Sequence, residues 1–441
     1  DDSIRKTFTG SSSKSSFSHL KSRLKEDILS VLLVKESSKR IAQSNRAAQF
    51  ECMKKLAQAY VLIFRGAKSE GAEILRAAKE LAIKYELAAE LVSINHLTRE
   101  ALFTFTDRKS LAAVNSSIRD NLQIWSDILR SEELSFYVTL PQLKEELQLD
   151  AGAGFESGMI DELKMLYEKS GTARIGFWYY MAATEYFTKI KDFNLVLELG
   201  LEFLKLVETS PSIMSKNNVA GVNQTVGFAQ MELRHFQDAT IHLSISERLF
   251  PVSGFNRLQC LQFLVQSEIA TNEFDKAITS IEKAFKHSRI SARENLKPRW
   301  LFIKSSVEFL KGDVNASFKT LNSDGYLMKQ QDEWNLQFRL LEMMQLIAMK
   351  DEEWLEFKLD TTRKFLTRHK NLDSSRTRTF IDVISNLLRK DLDFKQISEK
   401  NRQSLKLCAE ESEGYTWNPM GPEIVRFDFW VLKQIPNQET E

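Results

Sequence analysis

Phe193, Phe236, Phe274, Val314, Trp354 and Phe394 each stand at the head of an apolar-periodic segment, and their separations are 43, 38, 40, 40 and 40 residues. In the clearest copy, ATNEFDKAITSIEKAF, the residues Phe274, Ala277, Ile278, Ile281, Ala284 and Phe285 follow the i, i+3, i+4, i+7 rhythm of one buried helix face. DFNLVLELGLEFLKL repeats those offsets from Phe193. Stepping back by the same period reaches Ser110, at SLAAVNSSI, and Glu70, at EGAEILRAAKELA; the 83 residues from Ser110 to Phe193 are two periods and a small insertion. A second apolar-periodic segment precedes each marker, as FWYYMAATEYFTKI precedes Phe193 and RWLFIKSSVEFLKG precedes Val314. The unit is therefore helix, turn, helix. Such a hairpin is too small to bury its own apolar face and must stack on its neighbours, which makes an α-solenoid the expected fold.

Composition agrees where it speaks. There are 16 Gly and 7 Pro in 441 residues, and no Pro at all between Arg299 and Asn418, which disfavours a fold built on β-turns. The 61 basic and 60 acidic side chains nearly cancel, so the overall charge points to neither nucleic acid nor a membrane surface. Cys52, Cys260 and Cys408 are far apart and form no C-x-x-C pair, which fits a reducing compartment and gives no zinc site. The longest apolar runs, such as YVLIF at Tyr60, fall far short of the roughly 20 residues of a membrane helix.

Within two units the pattern resembles the tetratricopeptide repeat (TPR). Gly227, Phe236, Ala239 and Pro251 match it in one, and Leu264, Phe274, Ala277 and Ala284 in the next. The departures are Val265 in place of a small residue, Gln230 and Glu268 in place of an aromatic, and a period near 40 that exceeds the family's usual length. The resemblance implies an all-α, TPR-like array of antiparallel helix hairpins in a right-handed superhelix. We expect a flexible segment and capping helix at 1–46, the array at 47–406 and an aromatic-rich cap or tail at 407–441. The capping helix carries Phe17, Leu20, Leu24, Ile28, Val31 and Leu32 on one face. In the tail, Pro422 and Glu423 suit a helix start with Ile424, Phe427 and Val431 on one side, and closure of the end of the array is the preferred expectation over a tail folded into the groove.

Relatives of this kind line their concave surface with first helices and bind peptides or partner helices there. Carried onto this chain, the groove positions are Trp178, Glu185, Gln224, Gln262, Gln266, Arg299, Arg339, Glu342, Asp382 and Asn386. Polar side chains there could bond the backbone of an extended peptide. A second candidate is a basic patch, Arg363, Lys364, Arg368, Arg376 and Arg378, inside a stretch from Thr361 to Lys406 with twelve basic and five acidic residues. Few aromatics interleave with it, which disfavours single-stranded nucleic acid. The stretch from Ser131 to Ser170 is acidic, nine against three, and so is the tail from Leu407, seven against two.

Catalytic and cofactor patterns find little support. The cluster LDAGAGFESG lacks the strand and spacing of a dinucleotide turn, and TGSSSKSS lacks those of a phosphate loop, so both read as loop or linker. His235 and His242 are seven residues apart, about 10 Å along a helix, too far to share a metal. The expectation is a non-catalytic cytoplasmic scaffold, without metal or cofactor, whose partner is a protein or peptide; a ligand-responsive regulator of the same build is the alternative. Oligomeric state is left open by the sequence.

Overall fold

The computed structural model describes residues 18–27, 45–102, 108–140, 154–292, 295–323 and 331–435. Every regular element among them is helical. The helices are α1 (Asn45–Phe64), α2 (Lys68–Lys84), α3 (Ala88–Leu102), α4 (Arg108–Thr139), α5 (Phe155–Ser170), α6 (Ala173–Lys189), α7 (Phe193–Thr209), α8 (Lys216–Glu232) and α9 (Phe236–Leu249). They continue as α10 (Phe255–Ala270), α11 (Phe274–Phe285), α12 (Leu296–Leu310), α13 (Val314–Leu321), α14 (Asp332–Met349), α15 (Glu352–Arg368), α16 (Ser375–Leu388), α17 (Glu399–Ala409) and α18 (Phe427–Gln434). The chain divides into two compact units, Asp1–Lys191 with Leu201–Val219, and Asp192–Gly200 with Ala220–Glu441.

In the first unit α1, α2 and α3 pack in chain order around Cys52, Ala59, Leu75, Ala78 and Ile94, and α3 pairs with α4. The 32-residue α4 is twice the length of an ordinary repeat helix and packs on both α5 and α6. Glu86, in the turn before α3, accepts from the first backbone N–H groups of α6, Ala173 at 3.0 Å and Arg174 at 3.1 Å, and from the Ser212 hydroxyl at 2.9 Å. It thus caps a helix 87 residues away in sequence with a negative charge at its positive end. Of the expected capping face, Leu20 and Leu24 are exposed, and Phe17, Ile28, Val31 and Leu32 lie outside the described residues.

In the second unit each helix from α9 to α18 packs on the next. The period seen in the sequence has a backbone cause. Lys191, Arg234, Asn272 and Gly312 all have positive φ, from 59° to 89°, and each lies two residues before a marker. At Arg234 the turn closes with His235 N–H donating to Gln230 O (2.8 Å) and Arg234 N–H donating to Met231 O (3.1 Å), the double bond of a left-handed helix stop. Asn272 with Glu273 and Gly312 with Asp313 repeat it. The next helix then starts at once, on Phe193, Phe236, Phe274 or Val314, as the spacing predicts.

The last two markers need correction. Trp354 is the third residue of α15, which begins at Glu352 because Asp351 caps it, accepting from Trp354 N–H at 3.2 Å. Phe394 lies on a single 3₁₀ turn: two successive left-handed residues, Asp391 and Leu392, end the preceding segment, and α17 starts only at Glu399 under a Ser398 cap.

Small residues sit where paired helices approach. Ala239, Ala277 and Ala284 are fully buried, and a Cβ on Gly227 would stand 2.7 Å from Leu243 Cγ. Replacing Gly227 by alanine should therefore cost about 1–3 kcal/mol in chemical denaturation, since added volume must push α8 and α9 apart, despite alanine's better helix propensity. In a Leu243→Ala background, where the clash is gone, the same Gly227→Ala change should cost less than it does in the wild type.

Candidate binding site

The C-terminal segment packs on the second unit through long-range contacts. Residues 411–426 are irregular, and α18 follows. Contrary to the preferred expectation, the segment does not simply close the end of the array. It runs back over the first helices and hairpin turns of four units. Arg234, in the turn after α8, donates to Glu411 (2.6 Å) and to Trp417 O (2.8 Å), and Phe236 meets the Trp417 ring at 6.3 Å. Gln266 of α10 donates to Gly421 O at 3.0 Å. Phe309 of α12 packs on Trp430 at 5.6 Å, and Phe380 of α16 on Phe427 at 5.1 Å.

Arg376 anchors the far side. Its guanidinium donates to both oxygens of Glu423 (2.7 and 2.6 Å), to Asp428 (2.9 Å) and to the carbonyls of Cys408 (3.0 Å) and Tyr415 (3.3 Å). Arg426 adds bonds to Glu411 (2.9 Å) and Asp428 (2.6 Å). Burial alone would raise the Asp428 carboxyl, but Arg426 and Arg376 hold it below its ordinary range. The expected helix start at Pro422 is displaced to Phe427, and Glu423 reaches Arg376 from irregular backbone; Ile424, Phe427 and Val431 are buried all the same.

Between this segment and the hairpin turns lies a cleft of about 600 Å³. Phe236, Phe274, Phe309, Trp417, Phe429 and Trp430 contribute aromatic rings to its wall. Gln266, Arg426 and Lys433 supply polar groups, and Oε1 of the buried Gln266 has no hydrogen-bond partner. Asn272, Glu423 and Gln434 line it as well, so the wall is aromatic and polar in mixture; concavities that combine apolar and placed polar groups are where ligands bind.

The groove positions read from the sequence are scattered by this geometry. Gln266 touches the segment. Gln224 and Gln262 are half-buried, and Glu185 and Asp382 are exposed. Arg299 lies over the Trp334 ring at 4.4 Å and donates to Gln331 at 2.8 Å, while Arg339 covers Phe365 at 4.9 Å. Glu342 is buried and paired with Lys358 of α15 at 2.8 Å. These three serve helix packing, so the polar positions of the first helices do not all face one groove. Asn386 accepts from Ser398 N–H at 3.0 Å. In the first unit Trp178 stands edge-on to Phe136 and Phe177, at 5.4 and 5.2 Å.

The basic patch is also smaller than it reads. Arg376 is buried beneath the C-terminal segment and is no part of a surface. Arg363, Lys364 and Arg368 are exposed on α15, and Arg378 pairs with Asp373 at 3.1 Å. The residues that sequence reasoning missed, Arg234, Arg426 and Trp417, sit in turns and irregular backbone, where helical periodicity carries no information.

Among the described residues no three His, Cys, Asp or Glu side chains are placed to hold a metal ion, and no helix is long and apolar enough to cross a membrane. The three cysteines are free and buried, and burial pushes each thiol up to about 11. No protein-family model and no curated protein matches the chain. Among solved structures, the TPR domain of P58(IPK) aligns with 88% of this chain and 99% of its own at 10% identity, with a TM-score of 0.21. A score that low carries no argument. The hairpin order, the repeated left-handed turns and the small residues between paired helices do. The fold is an all-α, TPR-like helical repeat.

Proposed function

We propose that this protein is a non-catalytic scaffold that binds an extended segment or helix of another protein on the first-helix face of its second unit, beside its own C-terminal segment. One observation carries the reading. That face already holds a stretch of irregular polypeptide, and three side chains, Gln266, Arg234 and Arg376, grip it by the main-chain carbonyls of Gly421, Trp417 and Tyr415. Contacts to carbonyls are indifferent to the side chains of the bound strand and fix its register, which is what recognition of an extended peptide requires. The aromatic cleft alongside supplies the pocket for a bulky side chain that backbone contacts alone would lack.

A photo-crosslinking phenylalanine analogue at Phe274 or Trp430, introduced in the native cell, tests this directly. The expected products are adducts to one segment of another protein, mapped by mass spectrometry and lost when Phe429→Glu, at an exposed position of the wall, places a carboxylate in the cleft. Adducts only within the chain itself, with no partner from either position, would remove the reading. The same cleft favours a regulatory variant, in which a small ligand between the segment and the turns alters how firmly the segment is held. That variant predicts a ligand-dependent change in proteolysis at residues 411–426 without a protein adduct.

A further inference from the structure

We infer that the outer face of α15 is a self-association surface, through which two copies of this chain pair antiparallel about a two-fold axis; this goes beyond the peptide-binding reading and uses none of its residues. Leu355, Leu359, Thr362 and Leu366 are buried and define the inner side of α15. At 100° per residue the side opposite carries Glu353, Phe357, Asp360, Lys364 and Arg368, with Trp354 on its flank. Trp354 and Phe357 stand edge to face at 5.8 Å with more than half of each side chain in water, 55% and 56% exposed.

The charges on that stripe are ordered. Its first half is acidic, Glu353 and Asp360, and its second half basic, Lys364 and Arg368. The helix dipole favours such an order, worth tenths of a kcal/mol per charge, but it gives no reason to expose a tryptophan and a phenylalanine among the charges. Antiparallel pairing of two such stripes accounts for both. With the axis beside Asp360 and Thr361, Glu353 of one copy falls opposite Arg368 of the other. Phe357 falls opposite the aliphatic stem of Lys364, and Trp354 lies beside Arg368, where a guanidinium can cover its ring. Asp360 is already satisfied by its own Lys364 at 2.7 Å, so the two aspartates at the axis do not meet unpaired. An isologous contact needs this kind of self-complementary surface. One helix of 17 residues, about 25 Å long, makes a small interface, so the association belongs to the micromolar class.

Sedimentation velocity of the full chain over a concentration series, at low and high salt, is the test. A monomer–dimer equilibrium weakened by salt is expected, with Trp354→Ala weakening it at least tenfold. Charge reversal is decisive. The E353K/D360K chain is basic along the whole stripe and the K364E/R368E chain acidic, so each alone should be monomeric while an equimolar mixture dimerises. Both variants change surface positions, and circular dichroism confirms that each is folded. A wild type that stays monomeric up to about 300 µM, or a mixture no more associated than its components, overturns the proposal; dimerisation unaffected by these substitutions does so as well.

Discussion

Arg376→Ala should destabilise the second unit by about 3–5 kcal/mol, the cost of removing one member of a buried ion-pair cluster and leaving its carboxylates uncompensated. Only 7% of the Arg376 side chain is exposed, and Glu423 and Asp428 are 13% and 0% exposed. Asp428 retains Arg426, but Glu423 loses both of its guanidinium bonds. The Phe427 ring loses the cation stacked 5.0 Å above it. Because these contacts hold the C-terminal segment, its release should precede global unfolding. Protease cleavage between residues 411 and 426 should become fast at denaturant concentrations that leave the helical signal intact. Arg376→Met with Glu423→Gln removes the charge from both sides, and should restore a substantial part of the stability while leaving the segment's register looser. Equal denaturation midpoints and equal cleavage rates for wild type and Arg376→Ala would show that the cluster is not what fastens the segment.

How much of this was legible in the sequence depends on which physical signal each feature leaves. Helix starts at Phe193, Phe236, Phe274 and Val314 could be read because a left-handed stop followed two residues later by a half-buried apolar residue leaves an apolar mark at constant spacing. The stops themselves were nearly silent, since only Gly312 is a glycine; Lys191, Arg234 and Asn272 adopt the same backbone without announcing it. Phe394 misled because it is apolar and at the right interval, while the signal that sets the helix start was the cap at Ser398. The groove positions are scattered for a different reason. Adjacent residues on a helix differ by 100°, so Gln266 can reach the C-terminal segment while Glu342, two residues earlier in its unit as counted from the next helix start, turns inward to Lys358. Arg376 read as a surface cation because its carboxylate partners lie 47 and 52 residues further along the chain. Long-range ion pairs leave no periodic trace.

Glu268 supplies the second large effect, a loss of stability as the pH rises through the neutral range. It occupies a position where the TPR resemblance leads one to expect an aromatic side chain, and it is 4% exposed between α10 and α11. Its carboxyl accepts from the Ser280 hydroxyl at Oε1, 3.2 Å away, and Oε2 has no partner among the described residues. Burial pushes its carboxyl up to about 7 from an ordinary 4.5, Glu273 adds to the rise, and the Ser280 bond with Lys283 and Lys276 offsets part of it. Below about pH 4.5 the group is neutral in both folded and unfolded chains. Between there and about 7 the unfolded chain gives up the proton while the folded one keeps it, so the unfolded state binds fewer protons and stability falls as pH rises. Above about 7 both are ionised and the loss is complete, on the order of 3 kcal/mol. Glu268→Gln keeps the shape and removes the titration. It should match the wild type near pH 4.5 and exceed it by roughly 2–3 kcal/mol at pH 8, measured as the difference between two urea-unfolding series, which cancels every other group that titrates in that window. Parallel series, with a constant gap between variant and wild type from pH 4.5 to 8, would mean that Glu268 ionises in the folded chain as freely as it does in water.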